Sequence, residues 1–266
     1  MSSESDSLLG EEDHESLLRN THMEAQAEHA RLKQYNTLYT ITTILGGGLV
    51  ILTFIWLDHY VGGFSLEKPN TEFNWHPFLM VTGMLFLYSQ SILVYRTGRN
   101  TKKFTLKCVH AGLHITILIM ASLGLKAVFD SHNFASPPIA NLYSLHSWLG
   151  ILTFALFCGQ LLIGFTTFLF PGGSKGLRAA VIPYHVSLGS AGFFMAIVTA
   201  ILGWTEKVMF YLGNSYEKLP FSATLLNLIG VVTVIFGILT LHLVNDVRYA
   251  REEVIEDEVP LSGERD

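Results

Sequence analysis

Charge is scarce in this chain: Asp, Glu, Lys and Arg make up 15% of its 266 residues, where a soluble domain carries roughly a quarter. The charges also avoid long stretches, which leaves six apolar runs near residues 39–60, 76–95, 104–129, 143–170, 179–203 and 221–244. Each has the length of a bilayer-spanning helix, about 20 apolar residues. The runs are too long, and alternate too little, for barrel strands. Cysteine is nearly absent. The two present, Cys108 and Cys158, fall inside runs and read as small apolar packing residues, which excludes a disulfide framework and a cysteine metal centre. No carboxylate lies in the middle of a run, so the acidic groups that cation pathways use are missing. A cleavable signal peptide is lacking too: the first 35 residues are polar, and the first run is long enough to stay as a span. The net charge of −5 comes largely from the tails and offers nothing to a nucleic acid.

What remains is an all-α membrane protein of six transmembrane helices in the lipid bilayer. Residues 1–35 form an N-terminal tail, 36–247 the six-span domain and 248–266 an acidic C-terminal tail. Both tails are expected to be mobile and solvated. Lysine and arginine set the orientation. Arg19, Arg31 and Lys33 of the first tail share a side with Arg96, Arg99, Lys102, Lys103 and Lys107 after the second span. Lys175 and Arg178 after the fourth span, and Arg248, Arg251 and Arg265 of the last tail, fall there too. The other side has Lys68, Lys207 and Lys218, with Lys126 at a span end. Both tails are therefore predicted to be cytosolic and the opposite face luminal or extracellular. The first tail carries two acidic di-leucine patterns, Glu4 to Leu8–Leu9 and Asp13 to Leu17–Leu18. On a cytosolic tail these resemble signals read by clathrin-adaptor proteins, and they favour an endosomal, lysosomal or secretory-vesicle membrane over the plasma membrane.

Four histidines sit near the ends of spans. His76 and His146 begin even-numbered spans, and His110 and His185 lie early in odd-numbered ones. The first pair is predicted at the luminal level and the second at the cytosolic level, separated by about 15–20 Å of a core roughly 30 Å thick. An ionisable residue inside a membrane needs a partner. Zinc would want three or four ligands at each level. Haem iron needs only two axial groups, and two imidazoles close its coordination sphere, which suits electron transfer. Gly150 and Gly189 follow His146 and His185 by four residues, where a flat ring could lie. His114, one turn from His110, competes with it as a ligand at this stage.

Three segments carry a resemblance: Phe73-Asn74-Trp75-His76-Pro77, Leu142-Tyr143-Ser144-Leu145-His146-Ser147-Trp148 and Pro183-Tyr184-His185. They are similar to those of cytochrome b561 proteins, which are ascorbate-dependent di-haem transmembrane reductases, and the likeness covers residues 38–246. It implies two haem b groups in a core built from spans 2–5, with His76 and His146 as luminal ligands and His110 and His185 as cytosolic ones. It selects His110 over His114. It implies an ascorbate site at Lys103, Lys107 and Arg178, and a luminal substrate site at His132 and Tyr143. Physically, Lys103, Lys107, His110 and His114 share one helical stripe, and a helix N-terminus beside Arg178 favours an anion. The family further implies a homodimer.

The expected activity is transmembrane electron transfer from ascorbate through both haems to ferric iron or monodehydroascorbate. Two other classes use the same residues: a histidine-lined metal-ion or proton transporter, and a membrane adaptor whose function lies in its tails.

Overall fold

The computed structural model describes residues 2–251. The acidic positions Glu252, Glu253, Glu256, Asp257 and Glu258 of the C-terminal tail lie outside the described residues. Among those described there are helices and no strand. Helix α1 runs Ser2–Val61, followed by the short α2, Pro69–Glu72, and by α3, Trp75–Met80. A π-helical stretch, Val81–Leu87, joins α3 to α4, Tyr88–Thr97. Then come α5, Lys103–Asn133; α6, Leu145–Phe168; α7, Lys175–Leu212; and α8, Phe221–Asn245. Among the described residues, six helical units are long and apolar enough to cross a membrane, with α2 to α4 acting as the second.

The α2–α4 unit, α5, α6 and α7 pack on one another, and α1 and α8 flank the second and fifth spans. The core is aromatic and aliphatic, with Trp56, Leu85, Tyr88, Phe157, Phe193 and Phe236 fully buried. Polar pairs fix the flanking helices: the Trp56 indole N–H donates to the Ser222 carbonyl at 2.9 Å, and the Tyr39 hydroxyl donates to Gln90 Oε1 at 2.7 Å. Where α1 ends, Gly62 and Gly63 take φ of +91° and +76°, a turn that a side chain would resist. The buried Asn74 amide closes that turn by donating to the Gly63 carbonyl at 2.7 Å. At the other face, Arg99 donates to the Tyr249 carbonyl at 3.0 Å and lies 4.9 Å from the Tyr35 ring. These contacts dock the segment after α8 beside α1 and the α4–α5 connection, so the start of the first span and the end of the last share one face, the tail face.

Two features differ from the expectations. Residues 2–35 are not a solvated coil: α1 is continuous from Ser2. Residues 17–30 are exposed, including Leu17 and Leu18 at 61% and 56%. The segment is rich in Ala, Leu, Glu, Gln and Arg and has no proline, and extending a helix that the span has already nucleated requires no new nucleus. The second is the π-helical stretch, which sequence periodicity does not announce. It interrupts a regular helix, as such bulges do at functional sites. From there Val81, Met84, Leu85 and Tyr88 turn into the bundle.

Candidate functional site

The four histidines form two pairs at opposite ends of the core. His76, near the start of α3, and His146, near the start of α6, have ring centroids 6.1 Å apart and planes at 85°. His110 of α5 and His185 of α7 have centroids 6.3 Å apart and planes at 72°. A metal held between two imidazoles, with bonds of about 2 Å on each side plus half a ring width, needs a separation of this size. Among the described residues no three His, Cys, Asp or Glu side chains converge as a metal cluster, so each level presents two imidazoles.

Three of the rings are held through Nδ1. His76 Nδ1 lies 3.1 Å from the Gly124 carbonyl, His146 Nδ1 2.9 Å from the Thr199 carbonyl and His110 Nδ1 2.9 Å from the Ser91 carbonyl. A carbonyl can only accept, so Nδ1 donates its proton and Nε2 is left with the lone pair that a metal takes. A bound imidazole with its second nitrogen tied to backbone oxygen is the usual arrangement of a metal-ligating histidine. His185 differs: its Nδ1 is buried with no hydrogen-bond partner, and its ring packs on Phe168 at 5.3 Å.

Each level also depends on a glycine from the facing helix. A Cβ on Gly203 of α7 would stand 2.7 Å from Cε1 of His146, and a Cβ on Gly164 of α6 would stand 2.6 Å from Cε1 of His185. Real Cβ atoms do not come so close. The dependence is reciprocal: α6 supplies a histidine at one level and a glycine at the other, and α7 does the reverse. Gly150 and Gly189, expected to face the flat ring of a haem, do not touch these imidazoles. Gly150 has only Thr199 near its Cβ direction, and Gly189 has nothing within 4 Å.

His114 separates from His110 in three dimensions. It is buried at 8%, packs on Tyr88 at 5.2 Å and Phe157 at 5.3 Å, and its Nδ1 has no partner. It faces the aromatic centre of the bundle, whereas His110 is the ring that pairs with His185.

At the face opposite the tails a cavity of about 180 Å³ runs past His76 and His146 to the surface. His132, at the end of α5, and Tyr143, before α6, both line it, so the two residues expected at a substrate site share one cavity. His132 Nδ1 lies 3.0 Å from Asn141 Oδ1, and the Asn141 amide donates to Asn133 Oδ1 at 2.8 Å. With Nδ1 donating, His132 keeps Nε2 for a ligand. The loop is set by the α6 N-cap, where the Ser144 hydroxyl accepts from the Ser147 N–H. At the tail face α5 and α7 both begin, which aims two positive helix ends there. Lys103 and Lys107 occupy the first turns of α5, and Arg178 the first turn of α7 behind its Ser174 cap. Lys107 is one turn before His110, and Arg178 two turns before His185, on the same faces.

Sequence reasoning did not mark Gly164, Gly203, Gly124 or Thr199, which act through a missing side chain or a backbone oxygen. It also did not mark Lys207, placed only as a topological charge, which lines the cavity.

A sequence-family model described as eukaryotic cytochrome b561 matches residues 75–211. Among curated proteins, the transmembrane ascorbate-dependent reductase of Sus scrofa is 41% identical over 215 residues, covering 81% of this chain and 84% of its own length. The lysosomal membrane ascorbate-dependent ferrireductase of Bos taurus is 40% identical over 214 residues, covering 79% and 80%. Its Danio rerio counterpart is 41% identical over 230 residues, covering 83% and 92%.

Proposed function

The chain belongs to the eukaryotic cytochrome b561 family, and on that footing we propose that it draws single electrons from cytosolic ascorbate and delivers them to a luminal acceptor. As a family member it is a transmembrane oxidoreductase that depends on ascorbate and haem b. The observation that carries the finer reading is the pair of two-imidazole sites, 6.1 Å and 6.3 Å between centroids, at the two ends of one helical core. Haem at both pairs would supply one-electron transfer. His76 and His146 would hold one group, and His110 and His185 the other. The chain's residues do the rest. The carbonyls of Gly124, Thr199 and Ser91 fix which nitrogen of three rings is available. The π-helical stretch and Tyr88, Phe157 and Phe193 fill the space between the levels and exclude water.

The tails are cytosolic in this reading, so the tail face is the donor side. Lys103, Lys107 and Arg178 receive ascorbate, an anion at neutral pH, at two helix N-termini. His132 and Tyr143 receive the acceptor, which is ferric iron or monodehydroascorbate. Similarity to lysosomal ferrireductases and the exposed Leu17–Leu18 pair favour ferric iron and an endosomal or lysosomal membrane. A homodimer, and adaptor proteins on the N-terminal tail, complete the proposal.

The test is reconstitution into ascorbate-loaded vesicles with a ferric chelate outside. Ferrous iron should appear outside while ascorbate is oxidised inside, and the visible spectrum should give two haems per chain. A chain that binds no pigment returns the question to the transporter and adaptor classes. Alanine at both Lys107 and Arg178 should slow reduction by ascorbate roughly tenfold or more, the weight of charge-assisted contacts, with both haems retained. Stopped-flow reduction over a salt series checks this; unchanged rates and salt slope would reduce the pair to headgroup anchors. His132→Ala should weaken ferric-chelate reduction with haem content intact, and an equal rate at every chelate concentration would remove His132 from the acceptor site.

A further inference from the structure

The acceptor cavity has one feature that the two-histidine core does not explain. Lys207 is the lysine or arginine lining it, and Glu206, its chain neighbour, is the carboxylate in the lining. It is half-buried, and among the described residues no carboxylate pairs with it as a salt bridge. Its Nζ lies 4.0 Å from the centroid of the Phe73 ring. The same ring stacks with His132 at 6.5 Å and lies 6.0 Å from His76. Phe73 is therefore a shared neighbour of the lysine and the proposed acceptor-binding histidine.

The placement of Lys207 follows from the face of α7 already in use. Thr199, Gly203 and Lys207 recur at steps of four, so they share one stripe. The Thr199 carbonyl fixes His146 and Gly203 makes room for its ring. Lys207 is the next group up, about 6 Å nearer the luminal surface at 1.5 Å per residue. An ammonium half-withdrawn from water keeps its charge through contacts with donors of negative charge. An aromatic face supplies part of this, and a bound anion supplies the remainder.

We propose that Lys207 is the specificity-determining residue of the luminal site: it holds the negative edge of the electron acceptor, a carboxylate or enolate oxygen, while His132, a neighbour of the same Phe73 ring, lines the same cavity. The site would then take anionic acceptors, such as a ferric ion wrapped in carboxylates or an ascorbate-type radical anion, in preference to cationic ones. The acceptor gains one electron and the cytosolic ascorbate loses one. The inference rests on the electron-transfer reading above, and it adds charge selection to it.

The experiment uses the full chain in ascorbate-loaded vesicles, with ferricyanide or hexaammineruthenium(III) outside. Both take one electron, and they differ in the sign of their charge. Lys207→Gln should raise KM for ferricyanide roughly tenfold, the weight of one charge-assisted hydrogen bond, with little change in kcat. It should leave hexaammineruthenium within about twofold of wild type, because no charge-assisted contact to that cation is lost. Lys207→Arg should restore most of the ferricyanide KM. Haem content and both midpoint potentials, measured on the same preparations, should match wild type. Equal slowing of both acceptors overturns the proposal. So does a shifted midpoint of the luminal haem with unchanged KM, which would assign the ammonium to a haem carboxylate instead. Wild-type vesicles that reduce neither acceptor would overturn the electron-transfer reading itself.

Discussion

His110→Ala is expected to yield a protein with one haem per chain instead of two, retaining the haem at the opposite level. His110 stands 6.3 Å from His185, and its Nδ1 is tied to Ser91, both to the carbonyl at 2.9 Å and near the hydroxyl at 3.1 Å. Removing it would delete one of the two imidazoles proposed to hold that haem. His114 is the nearest imidazole, 4.4 Å from His110 by ring centroid, but it is wedged between Tyr88 and Phe157. Swinging it into the vacated position would open a void in that packing, at a cost of order 2 kcal/mol or more. The pyridine haemochrome of the purified variant gives the count directly. Electron delivery from ascorbate should collapse with it, because the cytosolic step is missing, whereas chemical reduction of the remaining haem should persist. A His110→Ala protein with both haems, together with a His114→Ala protein lacking one, would reverse the ligand assignment.

Gly203→Val should remove the luminal haem, and Gly164→Val the cytosolic one. Even a methyl at these positions would come within 2.7 Å and 2.6 Å of the His146 and His185 rings, so the ring, the helix or both must shift. His146 cannot shift freely, because Thr199 of the same facing helix holds its Nδ1 at 2.9 Å. Overpacking of this kind costs about 1–3 kcal/mol, and moving an axial ligand off its line adds the weakened metal bond. The two variants should be complementary, each losing the haem that the other keeps, which separates a local effect from general misfolding. Gly230→Ala on α8, outside the four-helix core, supplies the control: nothing lies within 4 Å of its Cβ direction, and alanine is the better helix former, so both haems should stay. If both valine variants retain two haems, the glycines are ordinary packing residues and the rings have slack that the geometry does not suggest.

Much of this protein was legible in one dimension because a bilayer is a demanding solvent. Spans must be about 20 apolar residues long and must satisfy their own backbone, so six helices followed from the distribution of charge alone. Strict alternation of direction then put His76 with His146, and His110 with His185. Those pairings are the ones that the ring separations show. Depth sorted His76 with His146 and set the level of His185, but depth is blind to rotation about a helix axis. His110 and His114 lie on one stripe, and the resemblance, not the physics of one helix, selected between them.

Only the packed bundle decided the remainder. It turned His114 onto Tyr88 and Phe157 and left His110 to meet His185. It showed that Gly164 and Gly203, on the helix facing each histidine, make room for the His185 and His146 imidazoles, a role separate from that of Gly150 and Gly189, which were expected to face the flat ring of a haem. A side chain on a helix reaches its neighbour's surface, so the room it needs is set by a residue distant in sequence. The carbonyls of Gly124, Thr199 and Ser91 carry no side-chain signature at all, yet they fix which imidazole nitrogen is free. The π-helical stretch and the helical N-terminal tail likewise depend on hydrogen-bond propagation rather than on hydrophobic period. The sequence determined how many times the chain crosses and at which depths its histidines lie, because burial in lipid is a one-dimensional constraint. Tertiary structure decided which rings face each other, and with what clearance, because that depends on contacts between helices.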